Sequence, residues 1–333
     1  MIKIIAAIVI FMLVVLFHEF GHFIMAKKQG IRVNEFSVGM GPAIFQKEKG
    51  ETVYSLRAIP LGGFCAMEGE DEESSAEDSF DQASPLSRFL TILAGPVMNL
   101  IICYISFVLF LGMTGKPVPR ILEFSEASHL PQQGMKVGDT ITAINDRPVD
   151  SYKQLTDLIQ ESKGEEIKVT YLRDDATHDI TAEPIREESG NYILGFIADR
   201  DQDLAYAFTG AFQEMVTLYG MFFVTIGKLI TGQLSLASFS GPVGVVRIIG
   251  DAAQQGLAPL LYLTGYISLN LGFFNLLPIP ALDGSKLVLI LIEKLRGKPM
   301  NKETESKITI AGFIFLVGLI VLVSIKDVWT IFQ

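Results

Sequence analysis

The chain has 333 residues, of which 49% are hydrophobic, and its mean hydropathy is +0.38. This composition excludes an ordinary soluble globular protein. The formal net charge of −10 argues against a nucleic-acid partner, because such a partner requires a basic surface.

Apolar runs predict the membrane-spanning segments. About 20 consecutive apolar residues are needed to cross the hydrocarbon core of a bilayer, and four runs meet or nearly meet this length. We therefore predict a polytopic α-helical membrane protein with four transmembrane helices, at residues 1–26, 86–115, 257–295 and 308–330. The first run is not followed by a small-residue cleavage site, so we expect it to be retained and not removed as a signal peptide.

The first predicted helix contains the sequence LFHEFGH, which puts ionisable groups where a membrane rarely tolerates them. His18 and His22 are four residues apart, so in a helix they project from the same face and can bind one metal ion. Glu19 points in a neighbouring direction, from which it can reach a metal-bound water as a general base. A charge at mid-membrane costs roughly 2.5–3.5 kcal/mol, which favours a functional interpretation over packing histidines.

Residues 27–85 are predicted to form a β-rich loop on the cytoplasmic side with an acidic segment. Alternating stretches such as RVNEFSVGM and ETVYSLRAIPL indicate short strands separated by glycines. The stretch TVYSLRAIP could pair with an unwound substrate as an added strand, or it could belong to a hairpin that only packs on the helices. The acidic run EGEDEESSAED, residues 68–78, is typical of a solvated, flexible loop.

Residues 116–203 are polar and charged, unlike the segments on either side. The runs DTITAIND, EEIKVTYLRDD and THDITAEPI are typical of strands, and YKQLTDLIQES between the first two is typical of a helix. The stretch GMKVGDTITAIND, residues 134–146, resembles the core signature of a PDZ domain of the bacterial protease type. We therefore expect an inserted PDZ-like α/β domain here.

The third predicted span is interrupted by NLLPIPALDG, residues 275–284. Pro278 and Pro280 remove backbone donors and break the helix, which allows an irregular segment at membrane depth. An isolated Asp283 at this depth would be costly, and pairing with a divalent cation removes the cost. Because catalytic zinc takes three protein ligands and an open position, Asp283 is the candidate third ligand beside His18 and His22.

Taken together, HEFGH, the PDZ-like insert and NLLPIPALDG resemble the site-2 protease family of intramembrane zinc metalloproteases, in particular its bacterial RseP-like branch with a single PDZ domain. The resemblance runs along nearly the whole chain. It implies a Zn²⁺ ion bound by His18, His22 and Asp283, Glu19 as the base, and contact between Asn275 and the substrate backbone near the scissile bond.

Two further segments match the family, and one position departs from it. The stretches GPVMN, residues 95–99, and SGPVG, residues 240–244, match family segments that we interpret as structural, because small residues permit close helix approach. After LDG the family commonly continues with glycine and a basic residue or histidine, whereas this chain has Ser285 and Lys286. The departure leaves the predicted metal ligands intact.

The activity implied by the resemblance is hydrolysis of peptide bonds within transmembrane segments by a zinc metalloendopeptidase. It would provide the second cut in regulated intramembrane proteolysis. The implied partners are the lipid bilayer and single-span membrane proteins, such as anti-sigma factors or signal-peptide remnants. The PDZ-like domain is then expected to act as a size gate or sensor outside the membrane.

Basic residues predict the topology. Lys27, Lys28 and Arg32 follow the first helix, and residues 296–307 are also rich in lysine, so both loops are expected in the cytoplasm. The N-terminus, the C-terminus and the PDZ-like domain then lie outside a bacterial inner membrane. In this topology HEFGH and Asp283 reach similar depths.

The segment of residues 204–232 is apolar enough to suggest a fifth span, but it carries Glu214 and Lys228. A fifth span would reverse the next helix and move Asp283 away from the histidines. We therefore predict that residues 204–256 form an interfacial amphipathic helix, with these two charges in the polar layer, and a connector.

Two other functions stay open on the sequence alone. Intramembrane histidine and aspartate residues also mark ion pathways, so a metal transporter is one alternative. A catalytically silent scaffold that acts through its PDZ-like domain is the other. The glutamate at HExxH spacing disfavours both, because neither function requires a general base there.

Overall fold

The computed structural model describes residues 2–70, 72–187, 190–234, 241–298 and 301–331. The chain divides into two compact units, residues 111–208 and the rest of the chain around them. The helices of the described chain are α1 (Ile2–Lys28), α2 (Pro85–Thr114), α3 (Tyr152–Glu161), α4 (Leu204–Ile230), α5 (Pro242–Gln255), α6 (Leu257–Leu276), α7 (Asp283–Arg296) and α8 (Lys302–Ile331). The strands are β1 (Val33–Lys49), β2 (Thr52–Met67), β3 (Lys116–Phe124), β4 (Thr140–Ile144), β5 (Arg147–Pro148), β6 (Ile167–Arg173), β7 (Ala176–Ala182), β8 (Ile185–Arg186), β9 (Tyr192–Ile193) and β10 (Phe196–Asp201).

Four helices are long and apolar enough to cross a membrane, namely α1, α2, α6 and most of α8. The predicted number of transmembrane helices is thereby confirmed on length and composition. The third span is broken as the prolines predicted, since α6 ends at Leu276 and α7 begins at Asp283. Two boundaries differ from the sequence prediction, because α8 begins inside the predicted loop of residues 296–307 and α5 occupies the predicted connector.

The β-rich loop consists of short paired runs within β1 and β2, which confirms the prediction of short strands separated by glycines. Residues 35–38 of β1 pair on one side with residues 53–56 of β2 and on the other side with residues 63–66, and residues 45–48 also pair with 53–56. Gly39, Gly41 and Gly62 have positive φ angles of 85°, 82° and 73° and lie within the strands. These glycines lie where one run of paired residues ends and the next begins, and their positive φ angles let the chain turn there.

The acidic segment is tied down at several points, so its prediction as a flexible, solvated loop was wrong for those residues. Asp78 Oδ2 accepts a hydrogen bond from Arg32 Nε at 2.8 Å, and Glu68 Oε2 accepts one from Asn34 Nδ2 at 2.7 Å. Glu70 Oε1 accepts one from Lys286 Nζ, on α7, at 2.7 Å. An acidic run in the sequence does not indicate such pairing, because the partner residues lie elsewhere in the chain.

Small residues let α1, α2 and α6 approach closely. A Cβ atom added to Gly21 on α1 would lie 2.3 Å from the carbonyl oxygen of Ala94 on α2, and one added to Gly272 on α6 would lie 3.0 Å from that of Pro96. In lipid, helices associate mainly through such close packing, because the hydrophobic effect does not drive them together. These contacts bring α1, α2 and α6 onto one another.

Residues 111–208 form the PDZ-like unit, which contains an antiparallel sheet with the strand order β10-β3-β4-β6-β7, helix α3 and a short 3₁₀ helix at Leu130–Gln133. Strands β4, β6 and β7 fall on the three runs that predicted strands, and α3 falls on the predicted helix. Asn145 and Asp146, between β4 and β5, have φ angles of 48° and 61°, as a tight hairpin turn requires. The side chain of Ser151 caps α3 by accepting from the backbone N–H of Gln154.

One buried ion pair in this unit connects the turn before β4 to β6. Asp139 is 2% exposed, and its carboxylate accepts from Arg173 Nε at 2.8 Å, from Arg173 Nη2 at 2.6 Å and from the backbone N–H of Lys136 at 2.7 Å. Burial opposes ionisation of Asp139, but the guanidinium and the N–H outweigh it and hold the pKa of the carboxyl below its ordinary value.

The lowered pKa predicts how the stability of this unit depends on pH. An aspartate with a depressed native pKa stabilises the fold above its unfolded pKa of about 3.9, and this stabilisation is lost as the pH falls through the native pKa. We expect Asp139→Asn to reduce protection of β4 and β6 amides at pH 7 and to converge with the parent chain in acid. Hydrogen exchange, corrected for its intrinsic pH dependence, measures this, with exposed Asp157→Asn as the control. Equal protection of parent and variant at pH 7 would contradict it.

Candidate metal centre and active site

The two histidines of HEFGH lie on one face of α1, one turn apart, as their spacing predicted. Each is only 6% exposed, and their Nε2 atoms are 3.2 Å apart. His18 is buried by α2 and α6, since Asn99 on α2 and Asn275 on α6 are its hydrogen-bonding neighbours. Helix α2 also contacts His22, through the carbonyl oxygen of Thr91.

Asp283 is brought to the histidines by the break between α6 and α7. Ala281 has a φ of 72°, a left-handed conformation that is rare for residues other than glycine and clusters at functional sites. A Cβ atom at Gly284 would lie 2.1 Å from the carbonyl oxygen of Leu277, so only glycine permits this tight return. As a result, Asp283 Oδ2 lies 3.1 Å from His18 Nε2 and 3.3 Å from His22 Nε2.

These three side chains are the group of the described chain whose ligand atoms could hold a metal ion. The buried Asp283 Oδ2 has no hydrogen bond of acceptable geometry, although both imidazole nitrogens are near it. A tetrahedral ion with bonds of about 2.0–2.1 Å to nitrogen and oxygen has ligand atoms about 3.3 Å apart. The observed separations of 3.1, 3.2 and 3.3 Å match this value. The residues present therefore fit a zinc ion.

Glu19 lies beside the group and not in it. Its Oε2 accepts a hydrogen bond of 3.1 Å from the backbone N–H of Cys65, near the end of β2. Strand β2 thus holds the Glu19 carboxylate next to the two histidines. The carboxylate that faces the histidine nitrogens is that of Asp283. Such an arrangement separates a proton acceptor from the metal ligands, as the HExxH motif requires.

Asn275 also lies in the site. It ends the last turns of α6, is 8% exposed, and places Nδ2 3.4 Å from His18 Nε2. An amide at this position can donate to or accept from a backbone that approaches the metal group.

Helix α2 contributes to the site in a way that was not predicted from the sequence. The segment GPVMN was interpreted as structural, yet Gly95 and Asn99 are in contact with the imidazoles. A Cβ atom at Gly95 would lie 2.2 Å from His22 Nε2, and Asn99 Nδ2 lies 3.2 Å from His18 Nδ1. The carbonyl oxygen of Thr91 accepts from His22 Nδ1 at 2.9 Å. In the sequence, the one indication of this role was Asn99, a polar amide within a span that carries no charge.

The other matched segment, SGPVG, leads into α5. Its first residue, at position 240, is outside the described residues, and Gly241 precedes α5. Asp327 Oδ2, on α8, accepts from the backbone N–H of Gly244 at 2.9 Å. A carboxylate at the first turn of a helix stabilises that helix, so this segment has the structural role that was predicted.

Comparison with known proteins gives a family match over most of the chain. The model of peptidase family M50 matches residues 6–319. A protein of Clostridium acetobutylicum named as a zinc metalloprotease is 33% identical, over 98% of this chain and 97% of its own length. The regulator of sigma-W protease RasP of Bacillus subtilis is 29% identical, over 99% of both chains. Among solved structures, the PDZ domain of an SdrC-like protein from Listeria innocua is 21% identical, covers 26% of this chain and 99% of its own, and has a TM-score of 0.23.

Proposed function

The chain belongs to peptidase family M50, the site-2 protease family of zinc metalloproteases, and on this premise we propose that it cuts peptide bonds within the transmembrane segments of single-span membrane proteins. The observation that carries the proposal is the convergence of Asp283, at the start of α7, on His18 and His22, which lie in a helix long enough to cross a membrane. A hydrolytic group at that depth is of use only for a substrate that is itself in the membrane.

The three side chains would hold the zinc ion. When bound, zinc lowers the pKa of its water to about 7 and polarises the scissile carbonyl. Glu19 takes a proton from the attacking water and gives it to the leaving amine, while the N–H of Cys65 keeps the carboxylate oriented. Asn275 holds the substrate backbone beside His18.

A substrate helix hides its peptide bonds in its own hydrogen bonds, so it must unwind before it is cut. Residues 53–56, within TVYSLRAIP, pair on both sides, with residues 35–38 and with 45–48, so in the described chain the edge of this sheet is formed by residues 63–66 of β2. The N–H of Cys65, near the end of β2, points at Glu19. An unwound substrate that adds to β2 as a further strand would therefore lie next to the catalytic carboxylate. Of the two roles considered for strand β2, we propose pairing with the substrate and not simple packing on the helices.

The proposed cellular setting follows from charge and from the relatives. The protein is a multi-pass protein of the bacterial inner membrane, with both termini and the PDZ-like unit outside. Helix α4 contacts α6 both at Tyr262 and at Phe273, about 17 Å apart along that span, so it does not lie flat along the outer interface as the sequence predicted. The regulator named RasP in Bacillus subtilis supports a second cut in regulated intramembrane proteolysis, with anti-sigma factors or signal-peptide remnants as substrates. The PDZ-like unit would exclude substrates that retain a bulky outer domain.

Reconstituted protein in liposomes tests this function. We expect single-span substrates that lack their outer domain to be cut within the span, and matched substrates that retain it to be cut more slowly. Mass spectrometry of the fragments locates the cut. A zinc chelator should stop the reaction and added zinc should restore it. Fragments cut only outside the span would contradict the proposal, and zinc uptake by liposomes without any cleavage would favour the transporter.

A further inference from the structure

Asn99 is a fully buried polar residue beside the metal group, and its hydrogen bonding is unbalanced. Its Nδ2 lies 3.2 Å from His18 Nδ1, and its relative exposure is 0%. Its Oδ1 is buried and has no hydrogen-bond partner among the described residues. A buried amide oxygen left without a partner costs about 1–3 kcal/mol, so this arrangement calls for an explanation.

The chemistry of imidazole supplies one. A neutral imidazole carries one N–H and one lone pair, and a nitrogen that binds metal must use its lone pair. If His18 binds zinc through Nε2, the atom that faces Asp283, its Nδ1 must carry the hydrogen. An amide N–H₂ group cannot accept that hydrogen. A half turn of the amide about its Cβ–Cγ bond exchanges nitrogen and oxygen and places Oδ1 opposite Nδ1.

From this geometry we infer that Asn99 is a positioning residue for His18, with an amide that turns when the metal binds. With Nδ2 facing the ring, Asn99 stabilises the tautomer that carries hydrogen on Nε2, which cannot bind metal. With Oδ1 facing the ring, it accepts from Nδ1–H and stabilises the tautomer that can. The inference rests on the proposed function, because it assigns a partner to one ligand of the same metal site.

The backbone of Asn99 is fixed, so that only its amide is left to adjust. Ser268 Oγ, on α6, donates to the carbonyl oxygen of Asn99 at 2.9 Å. A Cβ atom added to Gly272, one turn further along α6, would lie 3.1 Å from Asn99 Cβ, so the two helices touch at this residue. Helix α6 therefore prevents Asn99 from moving away from His18.

His22 has a different kind of partner. Its Nδ1 lies 2.9 Å from the carbonyl oxygen of Thr91, and a carbonyl can only accept. His22 is thus held permanently in the tautomer whose Nε2 lone pair is free. The two ligands on α1 differ, with one tautomer fixed by a backbone group and the other set by a side chain that can present either a donor or an acceptor.

Zinc affinity tests the inference without reference to proteolysis. Purified full-length protein in detergent is titrated with zinc against a chromophoric chelator. Loss of a partner that orients a metal-binding histidine typically weakens metal affinity about 10–100-fold, and we expect this for Asn99→Leu. Asn99→Asp, which has the same shape and only accepts, should stay within about threefold of the parent. Asn270→Leu, at an α6 amide that bonds within its own helix, is the control and should match the parent.

A second measurement does not depend on any variant folding. Nitrogen-15 shifts of the histidine rings in the parent protein should report His18 Nδ1 changing from an acceptor nitrogen to an N–H when zinc is added, while His22 Nδ1 stays an N–H throughout. The inference is overturned if Asn99→Leu binds zinc as tightly as the parent, if Asn99→Asp is as weak as Asn99→Leu, or if His18 Nδ1 carries hydrogen with and without zinc. If the parent binds no zinc, the proposed function fails as well.

Discussion

Replacing Glu19 by glutamine should slow peptide hydrolysis by about 10²–10⁴-fold, the usual contribution of a positioned general base. Glutamine has nearly the same shape as glutamate, but it cannot take a proton at the pH of the reaction. The amide oxygen of the glutamine can still accept the hydrogen bond from Cys65 N–H, so strand β2 should stay in place. Zinc content should be unchanged, because Glu19 is not one of the three converging ligand groups.

Single-turnover cleavage in liposomes, with zinc measured on the same preparation, checks this expectation. Glu48→Gln is the matched control, since Glu48 is exposed on β1. His22→Ala provides the opposite pattern, because it should lose zinc and activity together. Retention of a large part of the parental rate by Glu19→Gln would remove this residue from the chemistry. Loss of zinc in the same variant would instead make it a metal ligand.

The sequence was sufficient for those parts of the fold that depend on local pattern. Apolar runs located the four candidate spans, and the prolines at positions 278 and 280 located the break before α7. The three residues of the metal group were predicted although His22 and Asp283 are 261 positions apart in the sequence. This was possible because an ionisable group is costly in a membrane, so each of them had to have a partner.

The features that were missed depend on contacts between elements. The short strands were predicted but their order in the sheet was not, because residues 35–38 pair with two segments, 53–56 and 63–66, that lie apart in the sequence. The acidic segment was interpreted as free because Arg32 and Lys286, which bind it, lie outside the run. Gly95 and Asn99 carry no charge, so no energetic argument from sequence distinguished their contacts with the histidines from ordinary helix packing.

Gly95→Ala should abolish activity by displacing the imidazoles. The added Cβ atom would lie 2.2 Å from His22 Nε2, 2.5 Å from His22 Cε1 and 2.9 Å from His18 Cε1. Neither imidazole ring can move away easily, because both are buried. His22 Nδ1 is also hydrogen-bonded to the carbonyl oxygen of Thr91, which lies on α2, the helix that carries Gly95. The change should weaken zinc binding by at least about 100-fold, the upper end of what loss of a supporting contact causes. Alanine favours helix over glycine by about 1 kcal/mol, so α2 itself should remain intact.

Gly112→Ala separates this steric effect from any general effect of alanine in α2. Gly112 lies on the same helix, and an added Cβ atom there would meet no atom within 4 Å. We expect this control to keep the parental zinc affinity and cleavage rate, with equal or slightly higher thermal stability. Chelator competition and cleavage rate are measured for both variants. Full zinc affinity in Gly95→Ala would mean that α2 yields to the added methyl group, and the close approach of Gly95 to the histidines would then have no part in forming the metal site.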